Sequence, residues 1–381
     1  MSPSRIPDVL IVGGGLIGCA SAYYLAKQGH AVTLLERGDI ASGASGACDG
    51  HVCCQSKTSP THLALARRSA DLYDSLSDEL DREIGFRRCG SWLIAETDEE
   101  LEALTASASA MSELGVQVSI HSGEEIHETE PALSAELAGG SYCPTDGQVD
   151  PWRVVLAFAA SAKRLGADIR LGTEVASVAV SADEVTGVCT PGGHLPAGSV
   201  LLAAGAWTAS LCEDVGIDLP VRPRRGEILV SEAMPPLLTS VILHAPYVGS
   251  KSAAGSNRAA TLVLEQITEG NVLFGSTRSY SSFDARTTPD GLSAIAGEAR
   301  RLAPGLAGLN VVRTFAGLRP SSPDGLPLIG PLPGARALLI ATGHEGDGVA
   351  LAPVTGETVA LGISSGKWPA DLLPSRDTDV V

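Results

Sequence analysis

Apolar and polar positions sort the first 36 residues into a strand, a turn, a helix and a second strand. DVLIV (residues 8–12) is a short β-branched run that ends in Gly13–Gly14–Gly15. A helix rich in small residues follows to about Gln28, and AVTLLE (31–36) reads as a second buried strand. The pattern predicts a βαβ unit at the start of the chain. GDIASGASGACDGHVCC (38–54) has no usable period and reads as a loop. A helix begins near Ser59–Pro60, with Ser as N-cap and Pro at the first helical position. Its apolar positions Leu63, Ala66, Ala70, Tyr73, Leu76, Leu80 and Ile84 step by three or four. GSWLIAE (90–96) reads as a strand, residues 98–114 as a helix, and Asp150–Pro151 caps a helix to about Leu165. Strands are expected near ADIRL, TEVASVAV and SVLLAAG. From 221 to 285, GEILVSE, TLVLEQI and NVLFGST alternate with turns and predict an antiparallel sheet. A helix (about 290–302), the strand VVRTFAG, and a last strand–glycine turn–helix close the chain.

Composition narrows the function classes. At 381 residues the chain exceeds the usual single-core limit of about 250–300 residues, so two lobes are expected. The net charge of −17, from 27 Lys and Arg against 44 Asp and Glu, repels phosphate backbones and argues against nucleic-acid binding. A bound dinucleotide must then be held by backbone N–H groups and helix dipoles. The eight cysteines are scattered with no CxxC, and are read as reduced, in a cytoplasmic protein with no metal site. Residues 9–26 are apolar enough to imitate a membrane span, but the glycine triplet fits a buried strand–turn–helix, and no signal peptide is read.

Gly13, Gly15 and Gly18 make GxGxxG after a strand and before a helix, and Glu36 closes the second strand 23 residues after Gly13. The first glycine permits the tight turn, the second lets backbone approach a pyrophosphate, and the third lets helix and strand pack closely. A carboxylate at Glu36 suits a ribose diol and disfavours a 2′-phosphate. The fingerprint alone serves NAD and FAD equally.

The stretches GGGLIGCASAYYLA, TLLERGDIASGASG, DGQVDP, LLAAGAWT, GLRPSSPDGLPLIG and ATGHEGDGVALAP occur in the order found in one flavoprotein family. From end to end the chain resembles the D-amino-acid oxidase, glycine oxidase and sarcosine oxidase group. Within it, TLVLEQITEGNVLFGSTRSYSSFD and GHEGDGVALAPVTGE look most like the β (FAD) subunits of hetero-oligomeric enzymes. Those are hydroxyproline or proline dehydrogenases, opine-oxidising complexes and multi-subunit sarcosine oxidases. The resemblance implies an α/β plus antiparallel β fold: a Rossmann-like FAD-binding domain (1–85, 145–215 and 317–372) and a smaller substrate-binding domain on an antiparallel sheet (86–144 and 216–316), with a flexible tail (373–381).

It also implies roles for individual residues. Gly13, Gly15, Leu16, Ile17, Gly18, Glu36 and Arg37 fall on the ADP-binding positions, and Ser42, Gly43, Ala44 and Ser45 on a loop approaching pyrophosphate and flavin. Val175 falls where backbone meets adenine, and Ala204, Gly205 and Trp207 on a turn beside the cofactor. Gly343, His344, Gly346, Asp347, Gly348 and Val349 make the turn before the last helix, whose N-terminus would face the flavin. Arg319 of GLRP matches the arginine that holds the substrate carboxylate; the competing reading pairs it with Asp324. His51, Gln55 and Lys57 sit in a loop expected near the flavin, and Lys57 or Lys251 are candidates for the basic group that activates oxygen in family oxidases. His344 and Tyr247 are pocket candidates.

The activity so implied is oxidation of the C–N bond of a small amino or imino acid by hydride transfer to flavin N5. The substrate would be proline- or hydroxyproline-, sarcosine- or opine-like. The chain would be the catalytic β subunit of a hetero-oligomeric dehydrogenase whose partners carry further redox cofactors, with an FMN at a subunit interface and peripheral contact with the inner membrane through partners as further options. The alternative is a self-sufficient oxidase that makes hydrogen peroxide.

Overall fold

The computed structural model describes residues 6–57, 59–181, 184–249 and 259–376. Its first sheet has six strands, in spatial order Leu328–Pro331, Leu338–Thr342, Ser199–Leu202, Val9–Val12, Val32–Leu35 and Asp168–Arg170. All neighbours are parallel except Leu328–Pro331, which runs antiparallel at one edge. Val9 stands opposite Val32 on one side and Ser199 on the other. The continuous apolar runs VLIV and VTLL are buried along their whole length, as a parallel sheet covered on both faces requires.

One face is covered by the helix Leu16–Lys27, which packs against Gly348–Ser365 and Pro151–Arg164. A Cβ on Gly356 would come within 2.7 Å of the Tyr24 ring and 2.9 Å of the Ala20 carbonyl, so glycine sets how closely the first and last helices cross. The helix Pro60–Leu80 lies against the last helix, and Ser59 caps it by accepting the His62 N–H at 3.2 Å. Leu63, Ala66, Ala70, Tyr73, Leu76 and Leu80 are buried as their spacing predicts. Each large apolar side chain of that face contributes about 1.5–3 kcal/mol by leaving water. Ile84 is buried too, but beyond the helix, which ends where Asp81 turns left-handed at φ 53°. Asp150 caps Pro151–Arg164 by accepting two N–H groups, at 2.9 and 3.2 Å.

The second sheet has nine strands. In order they are Ser279–Tyr280, Arg222–Ala233, Asn271–Thr277, Ala260–Gln266, Val241–His244, Ser91–Ala95, Gly139–Cys143 and Ser119–Ser122, with Val311–Ser321 also pairing with Arg222–Ala233. Within residues 221–285 every pairing is antiparallel, as the sequence predicts, and the sheet becomes mixed only where Val241–His244 runs parallel to Ser91–Ala95. The helix Pro289–Leu302 covers it through Ile295 and Leu302 in a core with Trp92, Ile94, Leu264 and Phe274. Val311–Ser321 runs four residues past the predicted strand end, because its partner continues opposite it as far as Arg222, facing Ser321. That extension delivers Arg319 to the junction of the two sheets. Residues 373–376 are tied down, since Arg376 pairs with Asp324 at 2.8 Å.

Candidate active site

A cavity of about 310 Å³ runs from the first βαβ turn to the end of Val311–Ser321. Gly13 sits at φ 115°, and a Cβ there would lie 2.5 Å from the Ala203 carbonyl oxygen of the neighbouring strand. A Cβ on Gly18 would run into the Gly13 carbonyl. Those two positions therefore need glycine for the turn and for helix–strand contact. Gly15, the N-cap, opens the helix Leu16–Lys27 toward the cavity, and Ser45 reaches across to accept the Leu16 N–H at 2.9 Å. Glu36 accepts the N–H of Gly14 at 2.6 Å and of Gly38 at 2.8 Å. Arg37 lies over the Trp207 ring at 4.2 Å, and Trp207 stacks on Phe283 at 5.3 Å.

The other end is built around arginine. Arg319 donates from Nη1 to the Thr277 carbonyl at 3.0 Å and from Nη2 to Ser276 Oγ at 3.2 Å. Glu345 meets Arg278 at 3.2 Å and Arg224 at 3.6 Å. Burial alone would raise the Glu345 carboxyl, but Arg278, Arg319 and Arg224 outweigh it and hold it below the ordinary carboxylate range. Arg278 also covers the Tyr247 ring at 4.2 Å. Burial, the largest effect, pushes His344 down to about 3, so its imidazole is neutral; Nε2 meets Thr355 Oγ1 at 3.0 Å.

Behind the turn that opens the last helix lies a buried network. Lys57 Nζ is 2.5 Å from Asp347 Oδ1 and His62 Nε2 is 3.1 Å from Asp347 Oδ2. Burial works against the Lys57 charge, and Asp347 overcomes it, so the ammonium stays charged.

The family model described as FAD dependent oxidoreductase (DAO) matches residues 8–361. The chain belongs to this family of FAD-dependent oxidoreductases. It is 35% identical over 376 residues to a glycine oxidase of Geobacillus kaustophilus, spanning 96% of this chain and 95% of that protein. The crystal structure of glycine oxidase from that organism superposes with a TM-score of 0.89 at 32% identity, covering 97% and 99% of the two chains. L-proline dehydrogenase from P. horikoshii superposes with a TM-score of 0.89 at 27% identity, covering 98% of each chain.

The oxidoreductase's cavity fits FAD on its own geometry: a glycine-floored turn, a helix N-terminus and a placed carboxylate at one end, and a neutral imidazole and a second helix N-terminus at the other. Gly13, Gly15, Leu16, Ile17, Glu36 and Arg37 line it. So do Ser42, Gly43, Ala44 and Ser45. Val175, Ala204, Gly205 and Trp207 form the adjoining wall, and Arg319, His344, Gly346, Gly348 and Val349 the inner end. Gly18 and Gly343 stand behind this lining and act through packing. Asp347 is engaged with Lys57 and His62 instead. Gln55 is not brought to the cavity: its amide donates to Ser91 and accepts from Ser141 inside the protein. His51 is not among the lining residues either, its Nε2 lying 3.2 Å from Glu265, and Lys251 falls outside the described residues. Asp324 pairs with Arg376 rather than Arg319, which removes the competing reading of Arg319.

Three charged cavity-wall residues had no signal in the sequence. Asp49 lies in the aperiodic loop 38–54, Glu174 in the expected strand TEVASVAV and Glu345 in the glycine turn, and only the fold brings all three to the cavity. Elsewhere, Glu96, Glu100 and His244 place ligand atoms within 4.8 Å of one another, but Arg301 already pairs with Glu96 and with Glu298 beside them. All eight cysteines are free thiols. Among the described residues no helix is long and apolar enough to cross a membrane.

Proposed function

We propose that this FAD-dependent oxidoreductase oxidises the C–N bond of a small amino or imino acid whose carboxylate docks on Arg319. The observation that carries this reading is the placement of Arg319 at the inner end of the cavity, with two of its five N–H donors used by Thr277 and Ser276. A planar guanidinium anchored on one side offers a fork to a carboxylate and so fixes the adjacent α-carbon. Glu345 keeps Arg278 and Arg224 in place around it, and the neutral His344 adds no competing charge.

The residues that would hold FAD are the glycine turn with Glu36 and Arg37, the Ser42–Ser45 loop, Val175, Gly205 and Trp207, and the turn from His344 to Val349. Bound FAD supplies the acceptor for the hydride that leaves the substrate α-carbon. The N-terminus of Gly348–Ser365 favours negative charge beside it. The two sheets support dividing the chain into a cofactor lobe (1–85, 145–215 and 317–372) and a substrate lobe (86–144 and 216–316).

We read the chain as the catalytic subunit of a dehydrogenase for a proline-, sarcosine- or opine-like substrate, a reading favoured by the L-proline dehydrogenase similarity and by 29% identity to a hydrogen cyanide synthase subunit of Pseudomonas aeruginosa. The glycine oxidase relatives favour the second reading, a self-sufficient oxidase. Anaerobic titration of the purified chain with a panel of amino and imino acids, following the flavin absorbance, tests both. Bleaching by one class names the substrate, and re-oxidation on admitting air assigns the oxidase. Absence of bleaching by every member, with FAD bound, overturns the reading for the isolated chain.

A further inference from the structure

We propose that Asp49 receives the substrate's ammonium group and takes its proton, with His51 and Glu265 as positioning residues behind it. The proposal rests on the reading above that the substrate is an amino or imino acid. Four carboxylates line the cavity. Glu174 is exposed beside Val175, at the end away from Arg319. Glu36 is occupied by two backbone N–H groups and Glu345 by Arg278 and Arg224. Asp49 differs: its side chain is 17% exposed, it accepts no hydrogen bond among the described residues, and its ion-pair neighbour, His51 Nδ1, stands off at 3.9 Å.

Asp49 also belongs to the Arg319 end. Gly317, two residues before Arg319 on the same strand, lies so close to Ala47 that a Cβ would stand 2.7 Å from the Ala47 carbonyl oxygen. Tyr247, which lines the same region, feels the charges of both Asp49 and Arg319. A cation and an anion lining the same end of one cavity match a zwitterion. Behind Asp49, the buried Glu265 accepts the Gly50 N–H with both oxygens, at 3.0 and 3.1 Å, and sits 3.2 Å from His51 Nε2. One carboxylate thus fixes the main chain after Asp49 and the imidazole beside it. The titratable and charged groups of this neighbourhood are His51, next to Asp49, with Glu265 behind it; Tyr247, on which Asp49, Arg319, Arg278 and Asp347 all act; and Cys48, on which Asp49, Glu265, Arg319 and Asp150 act.

At neutral pH the chemistry needs a base. An ammonium nitrogen has no lone pair with which to form C=N, so one N–H must break before the C–N bond is oxidised. Its electron pair stays on nitrogen as the lone pair, and its proton forms an O–H bond on Asp49.

The test uses the full-length FAD-loaded enzyme and two isosteric probes that cannot be oxidised, α-aminoisobutyrate and pivalate, read by their perturbation of the flavin spectrum. Asp49→Asn is expected to weaken α-aminoisobutyrate by about 10- to 100-fold, the worth of a charge-assisted hydrogen bond, and to leave pivalate within about twofold. Turnover lost at neutral pH should return as the pH is raised toward the substrate's own ammonium range, where the amine is free without a base. An unchanged ratio between the two probes, or a loss of turnover that high pH does not relieve, overturns the proposal. If Asp49→Asn fails to hold FAD, Glu265→Gln decides in its place: a lowered probe ratio supports the positioning role and an unchanged ratio overturns it. Wild-type enzyme that binds neither probe, with Arg319→Ala changing nothing, refutes the amino-acid reading itself. Pivalate that binds through Arg319 while Asp49→Asn leaves the ratio intact refutes this proposal alone.

Discussion

Replacing Lys57 by Met isolates the contribution of the ion pair behind the last helix. The two side chains are 1% and 7% exposed and meet at 2.5 Å, with His62 on the second Asp347 oxygen at 3.1 Å. Removing one partner of a buried pair costs about 3–5 kcal/mol, because the other charge stays buried with its attraction gone. Here the stranded charge would sit at the N-cap of Gly348–Ser365, where helix dipole and His62 soften the loss, so the lower end of that range is expected. At about 2.1 cal/mol/K per residue the unfolding entropy of a 381-residue chain is near 0.8 kcal/mol/K, so about 3 kcal/mol lowers Tm by roughly 4 °C. Lys57→Met with Asp347→Asn should lose less than the two single changes added together, since neither charge is then stranded. Thermal unfolding followed by circular dichroism at fixed saturating FAD measures all three variants, the ligand concentration being held because it shifts Tm. A Lys57→Met enzyme within about 1 °C of wild type, or strict additivity in the double variant, would refute the reasoning that this pair is buried and coupled.

Arg319→Lys should keep the charge but lose the fork, lowering kcat/KM for the substrate by about 10- to 100-fold, while Arg319→Ala loses more; steady-state kinetics on the pair checks it. Gly18→Ala should yield protein with little bound FAD, because its Cβ meets the Gly13 carbonyl; the ratio of flavin to protein absorbance reads this directly. His344 is held at about 3 against an ordinary 6.5, so below pH 6.5 the unfolded chain takes a proton that the folded one refuses. Stability should therefore fall as pH drops through that window, by about 2 kcal/mol at pH 5 from this group. His344→Gln should flatten the denaturant-midpoint curve over the same range, and parallel curves would contradict the assignment.

The parts of the fold legible in the sequence are those whose signal is local. The first βαβ unit shows in two apolar runs and a glycine turn, and the helices at Pro60, Pro151 and Pro289 show in a capping residue before proline. The strands Val241–His244 and Leu328–Pro331 escaped because three or four residues buried by distant partners carry no period of their own. TEVASVAV begins as a strand only at Ser177; the residues before it run along the cavity, where Thr173 donates to the Glu36 carbonyl at 2.8 Å and Val175 forms wall. The hairpin of Glu184–Thr190 with Gly193–Pro196 was hidden by its mixed polarity. For the site, the glycines and Arg319 could be placed by motif and resemblance. Gln55 could not, because whether a loop amide faces the cavity or Ser91 depends on a side-chain direction that no motif states. Asp49, Glu265 and Glu345 lie far apart in the chain, and only the formed fold brings Asp49 and Glu345 to the same cavity as Arg319 and sets Glu265 behind Gly50.

The net charge of −17 illustrates the same division between local and global information. It argues against a long polyanion, which would meet the whole surface field. A small carboxylate meets something else. Charges on the exposed surface are screened beyond about 8 Å at physiological ionic strength, whereas buried groups at the inner end of the cavity are screened much less. There Arg224, Arg278 and Arg319 gather around the single carboxylate of Glu345, a local surplus of cationic charge inside an acidic protein. The phosphates of a dinucleotide are offered backbone N–H groups and the N-terminus of Leu16–Lys27 at the opposite end, where no basic cluster is needed. One acidic chain can thus hold two sites suited to anions because each presents a different local field, and neither is visible in the composition.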